Sequence, residues 1–188
     1  MDLKIFLGIG AGVLLIGSFV PYFAGIIKGH TAPHSYTWLI WSITQTLAAV
    51  VIFEAGGGLF SALSVGSVAA LSLLVFLASV TRGTEHIHVF DSIILVVALV
   101  ATVLWWQLDN NLYSILLICF IDAIGFIPTY RKTFIDPHTE SVFAWSLYLG
   151  GNVFALMALA QYSILTTSYL LTMITATALL LILILRRR

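Results

Sequence analysis

Two stripes of aromatic and carboxamide side chains, one in each half of the chain, are the residues best suited to bind a solute. In each stripe two aromatic residues and a carboxamide stand at positions i, i+3 and i+7, which an α-helix gathers within about 60° of arc. The six positions are Trp38, Trp41, Gln45, Trp145, Tyr148 and Asn152. Aromatic faces stack on a flat or ring-shaped solute while carboxamides bond its polar edge, so we predict a shared binding cavity. The alternative places the aromatic residues at the membrane–water interface and the carboxamides in bonds between helices.

Asp122 is the acidic residue that falls deep inside an apolar segment. Burying a carboxylate in a membrane is costly, so such residues commonly line a cavity and mark an ion or proton path. Leu15 stands at the corresponding position of the first half, so this role would belong to one half only. We predict proton or cation coupling at Asp122; the alternative is a protonated carboxyl group hydrogen-bonded within the bundle.

The sequence shows no arrangement typical of catalysis. It contains no Ser/His/Asp, Cys/His or paired-carboxylate pattern, and Cys119 is its only cysteine. We therefore predict no enzymatic activity, no cofactor and no metal site. A single cysteine also excludes an intrachain disulfide.

The apolar composition predicts that transmembrane helices position the aromatic, carboxamide and acidic residues described above. Hydrophobic residues make up 61% of the chain and charged residues 9%, whereas a soluble domain has about 25% charged residues. A helix needs about 20 apolar residues to cross a bilayer. Seven segments meet that length, and we predict transmembrane helices at roughly residues 4–27, 36–55, 59–81, 90–107, 111–131, 141–160 and 164–185.

The basic residues predict an orientation. If the N-terminus is outside, the inner loops and the C-terminus hold Lys28, Arg82, Arg131, Lys132, Arg186, Arg187 and Arg188, and the outer side holds only Lys4. Cytoplasmic loops carry such an excess of Lys and Arg. We expect a multi-pass integral membrane protein with its N-terminus outside and its C-terminus cytoplasmic. The short loops suit a prokaryotic inner membrane.

An internal duplication relates the two halves. Residues 20–45 recur without a gap, 107 residues later, as residues 127–152. The identical pairs are Phe19/Phe126, Pro21/Pro128, Trp38/Trp145 and Ala48/Ala155. A repeat of this kind in a membrane protein is typical of transporters built from two similar halves.

The repeat and the helix count predict an all-α membrane protein of seven helices in a 3+1+3 order. The first three-helix repeat covers residues 1–83, a linker helix residues 84–108, and the second repeat residues 109–188. Three is an odd number of spans, so the linker restores the second copy to the orientation of the first. The two three-helix bundles are then parallel repeats about an axis normal to the membrane.

Pro21 and Pro128 stand near the predicted inner ends of the first and fifth helices. A proline removes one intrahelical hydrogen bond and kinks a helix. We predict that the pair forms hinges for alternating access, with static kinks that only shape packing as the alternative.

With this layout, the chain resembles the PQ-loop/SWEET superfamily (MtN3 clan). The residues that carry the resemblance in the second copy are Pro128, Lys132, Thr139-Glu140-Ser141, Trp145, Tyr148 and Gly150-Gly151-Asn152. In place of the Pro-Gln dipeptide that names the PQ-loop, the chain has Pro21-Tyr22 and Pro128-Thr129.

The resemblance implies a transporter that moves a small solute through a central cavity between two three-helix bundles, with proline kinks as hinges. The expected partners are the bilayer and a sugar, an amino acid or a vitamin-like compound, with no nucleic acid. A second copy of the chain, in a homo-oligomer, is a further candidate partner. One alternative is a vitamin-precursor (nucleoside) facilitator of the PnuC type, which also resembles a 3+1+3 duplication. Another is a non-transporting receptor or scaffold with the same fold.

Overall fold

The computed structural model describes residues 3–54, 59–83, 87–105, 107–108, 110–159 and 161–188. Within these ranges the chain forms seven α-helices and a short 3-10 turn at Pro137–Thr139, and no strand. The helices are α1 (Leu3–Ile27), α2 (Ser35–Glu54), α3 (Leu59–Arg82), α4 (Val89–Trp105), α5 (Asn111–Ile135), α6 (Val142–Ala158) and α7 (Ile164–Arg187). The prediction of an all-helical protein with seven helices is confirmed.

The helix boundaries follow the predicted spans closely, with one informative exception. Helix α5 continues past its predicted end at residue 131 and runs to Ile135. Its last turns therefore carry Arg131 and Lys132 on the helix instead of in a loop. This extension is stable because both cations are paired with carboxylates from neighbouring segments.

Local sequence signals explain where individual helices begin and end. Gly29 follows α1 with a φ of 73°, a left-handed conformation that glycine adopts without a steric penalty and that commonly ends a helix. Ser163 begins α7 with a capping box, in which its side chain accepts from the backbone of Thr166 and the Thr166 side chain accepts in return. Such caps satisfy backbone groups that the first helical turn leaves unpaired.

Consecutive helices run in opposite directions. The C-terminal ends of α1, α3, α5 and α7 meet the N-terminal ends of α2, α4 and α6, where Ala32 N donates to Thr139 O at 3.1 Å and Arg187 donates to Phe134 O at 3.0 Å. We call this the basic end of the bundle. At the opposite end, Lys4 Nζ donates to Leu159 O at 2.9 Å.

The helix pairing follows the same pattern in both halves. Helix α3 packs on α1 and α2, and α7 packs on α5 and α6. Between the halves, α1 packs on α6 and α2 on α5, while α4 lies against α5 and α2. Among the described residues, the backbones of α1 and α2 do not approach each other closely, nor do those of α5 and α6, and these pairs meet only through long side chains.

The outer surface of the bundle is apolar. Val20 on α1 and Val89 on α4 are among many exposed aliphatic side chains, and contiguous apolar surface of this kind marks contact with lipid or protein. Four described helical segments are long and apolar enough to cross a membrane: Leu3–Ile27, Val65–Arg82, Leu112–Ile135 and Ile164–Arg187. These segments are compatible with the predicted membrane location.

Small residues allow α1 and α6 to pack closely. A Cβ atom built on Gly151 would lie 2.7 Å from Cγ of Leu15 and 3.0 Å from its backbone nitrogen. Nearer the opposite end, a Cβ on Gly8 would lie 3.9 Å from Cβ of Ala158. Helix pairs within membranes use small residues in this way because the backbones must approach to gain packing energy.

We predict that Gly151→Val destabilises the protein, because the added side chain must push α1 away from α6. Overpacking of this kind costs about 1–3 kcal/mol, and thermal melting of the detergent-purified protein measures it. Gly12→Val is the matched control, since a Cβ on Gly12 would meet nothing within 4 Å. Equal melting temperatures for the two variants would contradict the close α1–α6 contact.

Candidate functional site

The two predicted aromatic stripes meet at the basic end of the bundle. The rings of Trp38 on α2 and Trp145 on α6 are stacked, with centroids 6.2 Å apart and an angle of 29° between planes. Trp41 meets Trp145 edge-on at 5.9 Å. The Ser141 side chain caps α6 by accepting from Ala144 N at 3.2 Å, which places Trp145 in the first turn of that helix. Residues from equivalent places in the two halves therefore form one cluster.

Three members of this aromatic cluster lie outside the two predicted stripes. Phe126 of α5 lies 4.4 Å from Trp41, and Tyr22 of α1 lies 5.0 Å from Trp38, measured between ring centroids. Phe19 meets Trp38 at 6.0 Å. A signal was present, because Phe19 and Phe126 are an identical pair of the duplication.

The cluster is closed, and its rings fill the space between the halves at the basic end. Trp38, Trp41 and Trp145 are 3–5% exposed. A small cleft between α1 and α6 reaches the edge of the cluster. It is lined by Ser18, Phe19, Tyr22, Ala144, Trp145 and Tyr148.

The two predicted carboxamides are buried and bonded within the bundle. Gln45 Oε1 accepts from Ser72 Oγ of α3 at 3.3 Å. Asn152 Nδ2 donates to the backbone oxygen of Tyr148, one turn earlier on α6, at 2.9 Å. In this closed arrangement both carboxamides have partners in the protein, and neither is presented to an open cavity.

Asp122 joins α5 to α2 beside the aromatic cluster. Its side chain is fully buried, and Oδ1 accepts a hydrogen bond from the hydroxyl of Thr44. Trp41 Nε1 lies 3.4 Å from the Asp122 backbone oxygen, as a donor to it. The Asp122 side chain also interacts with the hydroxyl group of Tyr169 on α7. The predicted coupling residue is thus in contact with one of the predicted stripes.

The two predicted hinge prolines lie inside continuous helices. Pro21 lies in α1 and Pro128 in α5. The residue after each proline reaches the other half of the molecule: Tyr22 OH donates to Glu140 Oε1 at 3.4 Å, and Thr129 Oγ1 donates to Thr37 Oγ1 at 3.0 Å. The residues that directly follow the two prolines therefore hold hydroxyl groups that bridge the halves.

Glu140 is the centre of a polar network that adjoins the aromatic cluster at Tyr22 and Trp145. The residue is 1% exposed. Its Oε1 accepts from Lys132 Nζ at 2.5 Å, and its Oε2 accepts from Trp145 Nε1 at 2.8 Å. Its backbone oxygen accepts from Arg188 at 2.8 Å. Sequence analysis noted Glu140 only as part of a polar loop, because its burial depends on how that loop packs against α1 and α5.

A second buried carboxylate, Asp91 of α4, pairs with Arg131 of α5. Asp91, in the first turn of α4, accepts from Arg131 Nε at 2.9 Å and forms a second bond with the same guanidinium group. It also accepts from His88 N at 2.8 Å. Sequence analysis assigned Arg131 and Lys132 to membrane orientation; the structure adds that each is paired with a buried acid.

His34 lies beside this second pair and is fully buried. Its Nε2 is 3.3 Å from Asp91 Oδ2, so the imidazole ring and the carboxylate interact directly. Burial lowers the pKa of His34 to about 4, because desolvation penalises the charged imidazolium more than nearby Asp91 stabilises it. Lys132 and Arg131 add to the lowering. His34 is therefore neutral at pH 7.

Comparison with known proteins gives no family for the chain: no family model, curated protein or solved structure matches it. Nor do any three His, Cys, Asp or Glu side chains of the described residues converge to hold a metal ion. Function is therefore inferred from the geometry of the aromatic cluster, Asp122 and the Glu140 network.

We predict that the folded protein loses stability as the pH falls from 6.5 toward 5, in part through His34. The unfolded chain binds a proton at His34 below its ordinary pKa of 6.5, whereas the folded state does so only near pH 4. Over this window the unfolded state holds more protons, so acid favours unfolding, by at most about 2 kcal/mol between pH 7 and pH 5.

Thermal melting between pH 7 and pH 5 measures this effect. His34→Gln should flatten the dependence of the melting temperature on pH, while the same change at exposed His138 should leave it unaltered. A wild-type slope in the His34 variant would show that this histidine does not carry the effect.

Proposed function

We propose that this protein is a membrane transporter for a small solute, which crosses between two pseudo-symmetric three-helix bundles by alternating access. Trp38, Trp41, Gln45, Trp145, Tyr148 and Asn152 form the binding cavity when the bundles separate. Pro21 and Pro128 are the hinges, and Asp122 couples the movement to protons.

The meeting of the two aromatic stripes is the observation that carries this proposal. Trp38 and Trp145 stand 107 residues apart at equivalent places in the duplication, and their rings stack across the boundary between the halves. A static interface alone does not require the same aromatic and carboxamide spacing on both sides. A solute held on the pseudo-axis does, because both halves then present equivalent groups to it.

The helix pairing supports the finer 3+1+3 arrangement. In each half the third helix packs on both of the first two. If α1 corresponds to α5 and α2 to α6, a two-fold rotation converts the α1–α6 contact into the α5–α2 contact. Helix α4 lies outside this relation, as a linker would. With the basic end in the cytoplasm, the arrangement also satisfies the excess of Lys and Arg on that side.

The closed aromatic cluster fits one state of an alternating-access cycle. Buried rings and the Glu140 network close the basic end. A transporter of this class must also adopt a state in which this end opens and the opposite end closes. The carboxamides and rings that now bond each other would then be available to a solute.

Asp122 suits proton coupling because its ionisation changes the contact between α2 and α5. As a carboxylate it accepts the hydrogen bond of Thr44, and protonation turns one of its oxygens into a donor. A carboxyl group within membrane-spanning helices is a common element of proton relays.

A thermal-shift screen followed by uptake into proteoliposomes tests the proposed function. Sugars, amino acids, polyamines and vitamin nucleosides are the compounds to screen, since a ligand that binds only the folded state raises its melting temperature. We expect one class to stabilise the protein and to be taken up. Binding without any flux would favour the receptor or scaffold function instead.

We predict that Asn152→Leu abolishes uptake of the identified solute without unfolding the protein, because it removes a polar contact of the cavity. Uptake and melting temperature are measured on the same preparation. Ser146→Leu is the control, since Ser146 is an exposed polar residue of the same helix. Uptake at the wild-type rate in the Asn152 variant would remove this residue from the cavity.

We predict that Asp122→Asn uncouples uptake from a pH gradient. Asparagine keeps an oxygen that accepts from Thr44 but has no ionisable group. The measurement compares uptake with and without an imposed gradient, and Asp136→Asn, at an exposed position, is the control. If wild-type uptake shows no dependence on the gradient, Asp122 has a structural role.

A further inference from the structure

The segment of α5 that follows Pro128 is attached to the rest of the bundle at four consecutive positions. Thr129 bonds Thr37 of α2 at 3.0 Å, and Tyr130 OH donates to Ala176 O of α7 at 2.7 Å. Arg131 pairs with Asp91 of α4, and Lys132 with Glu140.

Lys132 and Glu140 form the most enclosed of these attachments. The Lys132 side chain is 6% exposed and that of Glu140 is fully buried. Lys132 Nζ also donates to Ala32 O, in the segment between α1 and α2, at 2.6 Å. Through Tyr22 and Trp145, the same carboxylate holds α1 and α6. One ion pair therefore joins both halves beneath the aromatic cluster.

The first copy of the repeat has no equivalent of this ion pair. The residues 107 positions before Lys132 and Glu140 are Gly25 and Pro33. The residue equivalent to Arg131 is Ala24. The two post-proline segments thus differ in kind: residues 22–27 of α1 carry no charged side chain, whereas the segment of α5 is held by the buried Lys132–Glu140 pair and by the partly exposed Arg131–Asp91 pair.

The cost of separating buried charges favours two discrete states of the Lys132–Glu140 ion pair, intact or broken, over a continuous range of separations. Separating a buried ion pair without water leaves two unpaired charges, which is strongly unfavourable. The pair is therefore either intact or broken with water admitted. Pro128 cannot donate to the carbonyl oxygen of Ile124, so the helix bends more readily at this point than elsewhere.

We propose that residues 129–135 of α5 are the moving half of a gate at the basic end, and that the Lys132–Glu140 ion pair is the lock that keeps the gate closed. The inference rests on the proposed transport function. It assigns the opening step to the second copy of the repeat, although both copies carry the hinge proline.

Cysteine accessibility tests the lock. In a Cys119→Ser background, which removes the native thiol, Ala144→Cys places a reporter beside Trp145 at the edge of the cleft. Reaction of the purified protein with a water-soluble maleimide measures how often the basic end opens. Glu140→Gln and Lys132→Met should each raise the labelling rate about tenfold, equivalent to about 1.4 kcal/mol.

The double variant and a matched control show whether faster labelling results from loss of the ion pair or from loss of any charge at this end. If the two residues act as one pair, Glu140→Gln combined with Lys132→Met should label no faster than either single variant. Lys28→Met removes one exposed cation from the same end and should leave the rate unchanged. Unchanged labelling in both single variants, or additive effects in the double variant, would overturn the proposal.

A second reporter distinguishes gate opening from general loosening. Ala48→Cys lies further along α2 toward the opposite end and is fully buried in the closed state. Its labelling should not rise in Glu140→Gln, and a parallel rise at both reporters would refute the lock.

The gate and the transport function can fail independently of each other. If the labelling results are as expected but no solute is taken up, the gate is supported and the transport function is not. Unchanged labelling with intact uptake would leave transport without this gate.

Discussion

Trp145 occupies the point at which the aromatic cluster and the polar network of the basic end join. Its ring contacts Trp38 and Trp41 of the other half, and its indole nitrogen donates to the buried carboxylate of Glu140. The apolar contact and the hydrogen bond depend on one another, because the rings exclude water from Glu140 while Glu140 satisfies the only polar atom of the indole side chain. Closure of the two halves is therefore a single cooperative arrangement.

The duplication supplies a symmetric frame, to which the second half adds the ion-paired residues Arg131, Lys132 and Glu140. The prolines, the tryptophans and Phe19 with Phe126 are shared; the prolines lie at equivalent places in α1 and α5, and the aromatic residues build the cluster. Asp122, Arg131, Lys132 and Glu140 belong to the second copy alone. A buried charge needs a partner, so these residues determine which polar contacts tie the second copy to the rest of the bundle, whereas the shared aromatic residues determine where the halves meet.

Prediction from the sequence succeeded best for the elements that depend on local pattern. Apolar runs of sufficient length gave the seven helices, and for six of them the ends lie close to those predicted. The composition of each aromatic stripe could also be predicted, since spacing along one helix fixes which side chains share a face. The end of α5 was wrong because a basic residue normally marks the limit of an apolar span, and here Arg131 and Lys132 are neutralised by distant acids.

By itself, the sequence determined the all-helical class, the duplicated layout and the grouping of Trp38 with Trp41 and of Trp145 with Tyr148, since these follow from hydropathy, internal identity and helical periodicity. Only the tertiary structure decided that the stripes pack against each other in a closed cluster and that Glu140 is buried within it. The physical reason is that the environment of a loop carboxylate depends on contacts with segments far away in the chain. Tyr22 is 118 residues from Glu140, and no local pattern encodes such a separation.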